Sequence, residues 1–219
     1  MELKVDNGDG IESWKEVTLI YSAALRQIET RMEVLNEEFQ HVHQYNPIEH
    51  IKARIKTPES IVKKLKRHGY ESTIDNMVQH INDIAGIRII CSFTSDIYRI
   101  AEMITEQRDI NIVAIKDYIT FPKASGYKSY HMIVTVPVYL SDRTIDTKVE
   151  IQIRTVAMDF WASLEHKIHY KFEGDAPEHI KSELIECAKM VSDLDARMLS
   201  LNEEIIEISK ERAEKKENA

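Results

Sequence analysis

Seven lysines and arginines fall between Lys52 and His68 against one acid, Glu59, in a chain of 219 residues whose net charge is −8. Their spacing suggests a shared task. Thr57-Pro58-Glu59 reads as a helix start, with a threonine cap, a proline in the first turn and an acid where the helix dipole favours one. With Ser60 as origin, Lys63, Lys64 and Arg67 lie within roughly 60° on either side of it, while Ile61, Val62 and Leu65 lie opposite and face a core. Arg54 and Lys56 precede this helix at a spacing of two, so both point the same way if that stretch is extended. A hydroxyl and several cations near a helix N-terminus suit a triphosphate. A solvated basic face is the competing reading. The six glycines build neither GxxxxGK nor GxGxxG, so any phosphates must be held by side chains.

A second constellation lies further along. From Thr147 to Arg154, Val149, Ile151 and Ile153 alternate with Lys148, Glu150, Gln152 and Arg154, the pattern of a strand with one apolar and one polar face. On the preceding apolar segment Tyr127, Ser129 and His131 share one face, and Tyr130, Met132 and Val134 the other. If the two strands pair, an aromatic, a histidine, a carboxylate, an amide and an arginine line one surface, although a hairpin face can also be merely solvated. Asp83 stands at the mouth of the apolar run Ile84–Phe93, which contains Arg88. An arginine in a buried strand needs a partner or a ligand. Asp83 and Glu150 are the two carboxylates suited to flank Mg²⁺, a hard ion that takes carboxylates together with substrate phosphates.

Other chemistries find less support. Of nine histidines, His41/His43 and His166/His169 are the closest pairs, but HExxH and paired cysteines are absent. No GxSxG is present. Cys91 and Cys187 are far apart, as in a reduced, cytoplasmic protein. No run reaches the roughly 20 apolar residues of a membrane span. The acidic balance weighs against DNA and RNA, while the basic window leaves single-stranded RNA as an alternative.

The elements that position these residues can be read from periodicity. Residues 1–10 read as a frayed leader. Ile11 to His43 is a helix ended by Asn46-Pro47, and a helix from Pro58 ends at Gly69. A short helix covers Ile74–Asn82. Strands are expected at Ile84–Phe93, Ile110–Ile119, Tyr127–Leu140 and Thr147–Arg154, the last two as an antiparallel hairpin. Helices are expected over Ser95–Gln107, Thr155–Tyr170 and from Glu178 past Glu211. The result is one mixed α/β (α+β) domain, with a mainly antiparallel sheet of about five strands flanked by helices.

Four segments, in order and spacing, resemble the synthetase domain of the RelA/SpoT homologue family. They are Arg54-x-Lys56-x-x-x-Ser60-Ile61-x-x-Lys64, Asp83-Ile84-Ala85-Gly86-Ile87-Arg88, Ser125-Gly126-Tyr127-x-Ser129-Tyr130-His131 and Glu150-Ile151-Gln152-Ile153-Arg154-Thr155. The helix Ala157–His166 continues the likeness. The resemblance implies a nucleotidyltransferase-like synthetase fold, with a core over 45–172, an oligomerising N-terminal helix over 1–44 and a C-terminal helical extension over 173–219. No hydrolase or regulatory domain accompanies them, so the chain looks like a stand-alone small alarmone synthetase, closer to the RelP-like than to the RelQ-like branch.

Such enzymes transfer the β,γ-pyrophosphate of ATP to the ribose 3′-OH of GDP or GTP, with Mg²⁺, and form homotetramers through terminal helices. Carried over by motif position, Arg54 and Arg88 would stack on adenine, and Lys56, Ser60, Lys64 and Arg67 would hold the ATP phosphates. Asp83 and Glu150 would position Mg²⁺, with Glu150 also the candidate general base. Tyr127 would stack on guanine, with Lys123, Lys128, His131, Gln152 and Asp159 also on the acceptor nucleotide. Lys128 stands where many relatives carry arginine, and Asp159 where some carry asparagine. A nucleotidyltransferase releasing pyrophosphate and a non-catalytic nucleotide- or RNA-binding module are the alternatives.

Overall fold

The computed structural model describes residues 13–43, 45–171 and 176–217. The expected leader, the break at Gly174 and the side chain of His169 lie outside the described residues. The elements run α1 (Trp14–His41), β1 (Ile48–Ile55), α2 (Pro58–Arg67), α3 (Ile74–His80), β2 (Ala85–Cys91), α4 (Thr94–Thr105), β3 (Asn111–Asp117), β4 (Tyr130–Tyr139), β5 (Thr144–Thr155), α5 (Val156–Lys171) and α6 (Glu178–Glu217).

The strands form one sheet in the order β1-β2-β5-β4-β3. All neighbours are antiparallel except β2 and β5, which run parallel. The basic stretch ahead of α2 is extended, as the strand β1. A register shift between Ile48 and His50 interrupts its alternation, which is why its periodicity does not announce a strand. β4 begins three residues later than expected, because Gly126 at φ +88° holds the chain in a turn. There the Gly126 N–H donates to the Lys123 carbonyl at 2.8 Å.

The period of two sorts the sheet into faces. Ile87, Ile151 and Met132 lie side by side in register on one face, as do Ala85, Val149 and Val134. α1 lays Val17, Ile20, Ala24, Ile28 and Met32 across that face, and α4 adds Ile97, Ile100 and Ile104. Each fully buried side chain of this size contributes about 1.5–3 kcal/mol. α2 turns Ile61 and Leu65 into the same core, as its periodicity predicts, capped at Thr57 with Pro58 in its first turn. α5 and the first part of α6 close over the other end of the sheet. There Trp161 donates from Nε1 to the Leu184 carbonyl at 3.0 Å, and Thr155 donates to Asp195 at 2.6 Å.

Candidate active site

The second sheet face is polar, and register lines its residues up. Lys52, Arg88, Gln152 and His131 form one row across β1, β2, β5 and β4; Arg54, Gly86, Glu150 and Ile133 form the next. Alternation alone therefore puts cations from two strands, a carboxylate and an imidazole on a common floor.

At the edge of that floor sits Asp83, directly before β2. Lys56, which leaves β1, and Lys64, on the second turn of α2, donate to its two oxygens at 2.8 Å each. Burial alone would push the Asp83 carboxyl up, but the two lysines outweigh it and hold it below the usual carboxylate range.

Glu150 is clamped in the same manner by an imidazole and an amide. His131 Nδ1 lies 3.1 Å from its Oε1, and Gln152 Nε2 donates to its Oε2 at 2.9 Å. Burial again pushes the carboxyl up, and the hydrogen bonds of His131 and Gln152 help bring it below its ordinary value. Behind these two stands Arg154, buried and forked. Its Nη2 donates to the Tyr127 hydroxyl and to Gln152 Oε1, its Nη1 to Asp159 and its Nε to Ser129 Oγ. The Tyr127 hydroxyl in turn lies 2.8 Å from His131 Nε2.

Two adjoining cavities open on this face. One, of about 160 Å³, contains Asp83, Gly86 and Glu150; the other, of about 400 Å³, contains Tyr127, Arg154 and the α5 residues Ala162 to Lys167. Arg54, Arg88 and Gln152 belong to both. Among the described residues the one buried side-chain nitrogen or oxygen without a hydrogen bond is Arg88 Nε, on this shared wall. A group left so needs an acceptor, and a ligand can supply it.

Two cavities sharing a wall of two arginines and an amide, with a clamped carboxylate in one and cations around both, suit a two-substrate phosphoryl-transfer site. Residues 53–175 match the family model of the region found in RelA/SpoT proteins. The chain belongs to the RelA/SpoT family. GTP pyrophosphokinase YwaC of Bacillus subtilis (strain 168) is 47% identical over 209 residues, covering 94% of this chain and 100% of that protein. The crystal structure of small alarmone synthetase 2 from Bacillus subtilis covers 87% of this chain and 98% of its own, at TM-score 0.79 and 47% identity. Small alarmone synthetase 1 from the same organism, bound to its product pppGpp, covers 88% and 97%, at TM-score 0.82 and 33% identity.

The RelA/SpoT region holds every site residue described above except Lys52; α1 and α6 lie outside it. Within it, Arg54, Lys56, Lys64, Asp83, Arg88, Glu150, Gln152, His131 and Tyr127 come together as the motifs imply. Ser60 and Arg67 lie on α2, both exposed, with Ser60 bonded to Thr57 at 3.0 Å. Lys123 sits over the rings of Tyr127 and Tyr118, 4.6 and 4.8 Å from their centroids. Asp159 accepts from both Arg88 and Arg154 on one oxygen, at 3.0 and 3.2 Å, and so offsets part of the charge of a guanidinium pair.

Lys128 is not brought to this face. It lines a crevice under α6 with Gly126, Trp161 and Ala188, because neighbouring residues of an extended chain point to opposite sides. Three residues escaped assignment from the sequence. Arg154 was visible on the polar face, but its role depends on partners from three segments. Tyr118, in the turn after β3, packs edge-on to His131 with ring centroids 5.3 Å apart. Gly86 is informative only through register.

Proposed function

We propose that this chain transfers the pyrophosphoryl group of ATP to the ribose 3′-oxygen of GDP or GTP, yielding AMP and a guanosine tetra- or pentaphosphate. The single observation that supports it best is Glu150. Its carboxylate faces the cavity beside Asp83, and one of the donors that clamp it, Gln152, also lines the cavity beside Tyr127. ATP fits the first compartment and the guanine nucleotide the second, so the acceptor hydroxyl and the β-phosphorus meet at Glu150.

The residues on the floor divide the work. Arg54 and Arg88 offer planar guanidinium faces for adenine. Lys56 and Lys64, pre-positioned by Asp83, retain further N–H donors for phosphate oxygens. Tyr127 supplies a ring for guanine, with Lys123 beside it. Glu150 takes the proton from the 3′-hydroxyl as its oxygen bonds to the β-phosphorus and the bond from that phosphorus to the AMP oxygen breaks.

Asp83 and Glu150 fit Mg²⁺. They are two carboxylates close enough for the charge of Asp83 to act on Glu150, and each carboxylate keeps lone pairs beyond those its donors use. Bound there with the phosphates, the ion would neutralise charge as it moves onto the leaving oxygen.

The homotetramer implied by the family resemblance has support in α6. Beyond Asp195, the helix carries Met198, Leu201, Ile205 and Ile208 exposed at alternating spacings of three and four, continuing from Leu194. A stripe of that period suits helix pairing with further copies, which light scattering on a sizing column tests.

The activity is tested by incubating the purified protein with γ-labelled ATP, GDP and Mg²⁺. The expected result is label in a guanosine tetraphosphate, one AMP formed per transfer, and neither with Glu150→Gln. Released pyrophosphate would instead mark a nucleotidyltransferase, and unreacted nucleotides with either GDP or GTP a binding module.

A further inference from the structure

We infer that Arg154 is the positioning residue of this site, holding Glu150 in its reactive orientation through two hydrogen-bonded arms. The inference rests on Glu150 acting as the base of the pyrophosphoryl transfer proposed above. Both arms start at one nitrogen. From Arg154 Nη2, one runs through the Tyr127 hydroxyl and the His131 ring to Glu150 Oε1; the other runs through the Gln152 amide to Glu150 Oε2.

Donors and acceptors alternate along each arm. A guanidinium only donates, so Tyr127 and Gln152 accept from it with their oxygens. The phenol proton is then directed at His131 Nε2, which leaves the neutral ring with its proton on Nδ1, aimed at Glu150 Oε1. The Gln152 amide is likewise fixed with oxygen toward Arg154 and nitrogen toward Glu150. One buried guanidinium thus sets a histidine tautomer, an amide orientation and a carboxylate position together. Its own position is set by Ser129 at 3.2 Å and Asp159 at 3.2 Å.

A lysine cannot replace it. An ammonium lacks the planar fork that reaches Ser129, Asp159, Tyr127 and Gln152 at once. Because the arms end on the carboxylate, loosening them leaves Glu150 free to turn away from the acceptor hydroxyl.

The experiment compares Arg154→Lys, Arg154→Gln and Tyr127→Phe with the wild-type chain, measuring kcat and both KM values. Tyr127→Phe keeps the ring and the fold and removes only one arm, so it remains informative if the arginine variants do not fold. Arg154→Lys and Arg154→Gln are expected to lose about 100-fold in kcat, with the KM for ATP within about threefold. Tyr127→Phe is expected to lose about tenfold in kcat, with the KM for GDP within about twofold. Wild-type kcat in Arg154→Lys or in Tyr127→Phe, or a raised KM at preserved kcat, would overturn the inference. Absence of transfer by the wild-type chain is a separate outcome, which overturns the proposed activity itself.

Discussion

Gly86 pairs with Glu150 across the parallel junction of β2 and β5, so the position beside the carboxylate carries no side chain. A β-carbon built there meets nothing nearer than the Glu150 backbone oxygen at 3.9 Å, and it would stand on the floor of the cavity. Its surroundings would accept a side chain, so a need for glycine there would come from what enters the cavity.

Gly86→Val should therefore separate activity from stability. Displacing a substrate by about 1 Å can cost about 100-fold in rate, and a loss of that order in kcat/KM is expected. Thermal unfolding should stay within about 2 °C of the wild-type value. Full activity in this variant would mean that the cavity floor is not where the nucleotide lies.

Asp83 holds two lysines, and each should have its own measurable effect. Removing either as Lys56→Met or Lys64→Met takes a charge-assisted bond from the phosphates, so the KM for ATP should rise about tenfold. The KM for GDP should be unchanged. Isothermal titration with a non-hydrolysable ATP analogue reads the same effect as lost affinity; equal losses for both nucleotides would contradict the division into two compartments.

The buried carboxyls respond to acid with opposite signs. Asp83 and Glu150 have folded pKa values below their unfolded ones. Their stabilisation is present above a pH of about 4 and is lost as pH falls through the folded values. Asp195 is raised by burial, against the Thr155 bond and the charge of Lys128, which lower it. Its contribution is complete at low pH and is lost as pH rises through the raised value. Asp195→Asn keeps an acceptor for Thr155 and removes the charge. It should raise the melting temperature at pH 7 by up to about 3 °C, with the difference vanishing near pH 4. A lower melting temperature at pH 7 would show that attraction to Lys128 outweighs burial.

α6 comes closest to the turn before β4 at Gly126. A β-carbon on Gly126, already at φ +88°, would lie 2.6 Å from the Ala188 β-carbon. Gly126→Ala should destabilise the fold by about 2 kcal/mol, and Ala188→Gly in the same chain should restore part of the loss. If calorimetry finds no difference, α6 is not seated against this turn in solution.

Much of this was legible in the sequence because side-chain periodicity reports burial. The basic helix, its cap at Thr57, its apolar side and the alternating strand through Glu150 all stand as read, since each follows from local spacing. The strand Ile48–Ile55 was missed because its register shift breaks the alternation that would have marked it. Lys128 was grouped with its neighbours by motif, whereas the extended chain turns it to the other side. Arg154 shows the deeper limit. Its type and face could be read, but its partners Tyr127, Ser129 and Asp159 lie on other segments, and nothing in local spacing connects them.

β5 supplies Glu150, Gln152 and Arg154, and it is the central strand, reached by a parallel neighbour more than 50 residues earlier in the chain. Contacts of that separation form late in folding, after local helices and hairpins, because closing a long loop must precede them. Glu150, its two arms and the lysines on Asp83 therefore meet only when the sheet is complete. A partly folded chain has helices and a β4–β5 hairpin but no reactive centre, so during refolding the regain of transfer activity should trail the regain of helical signal.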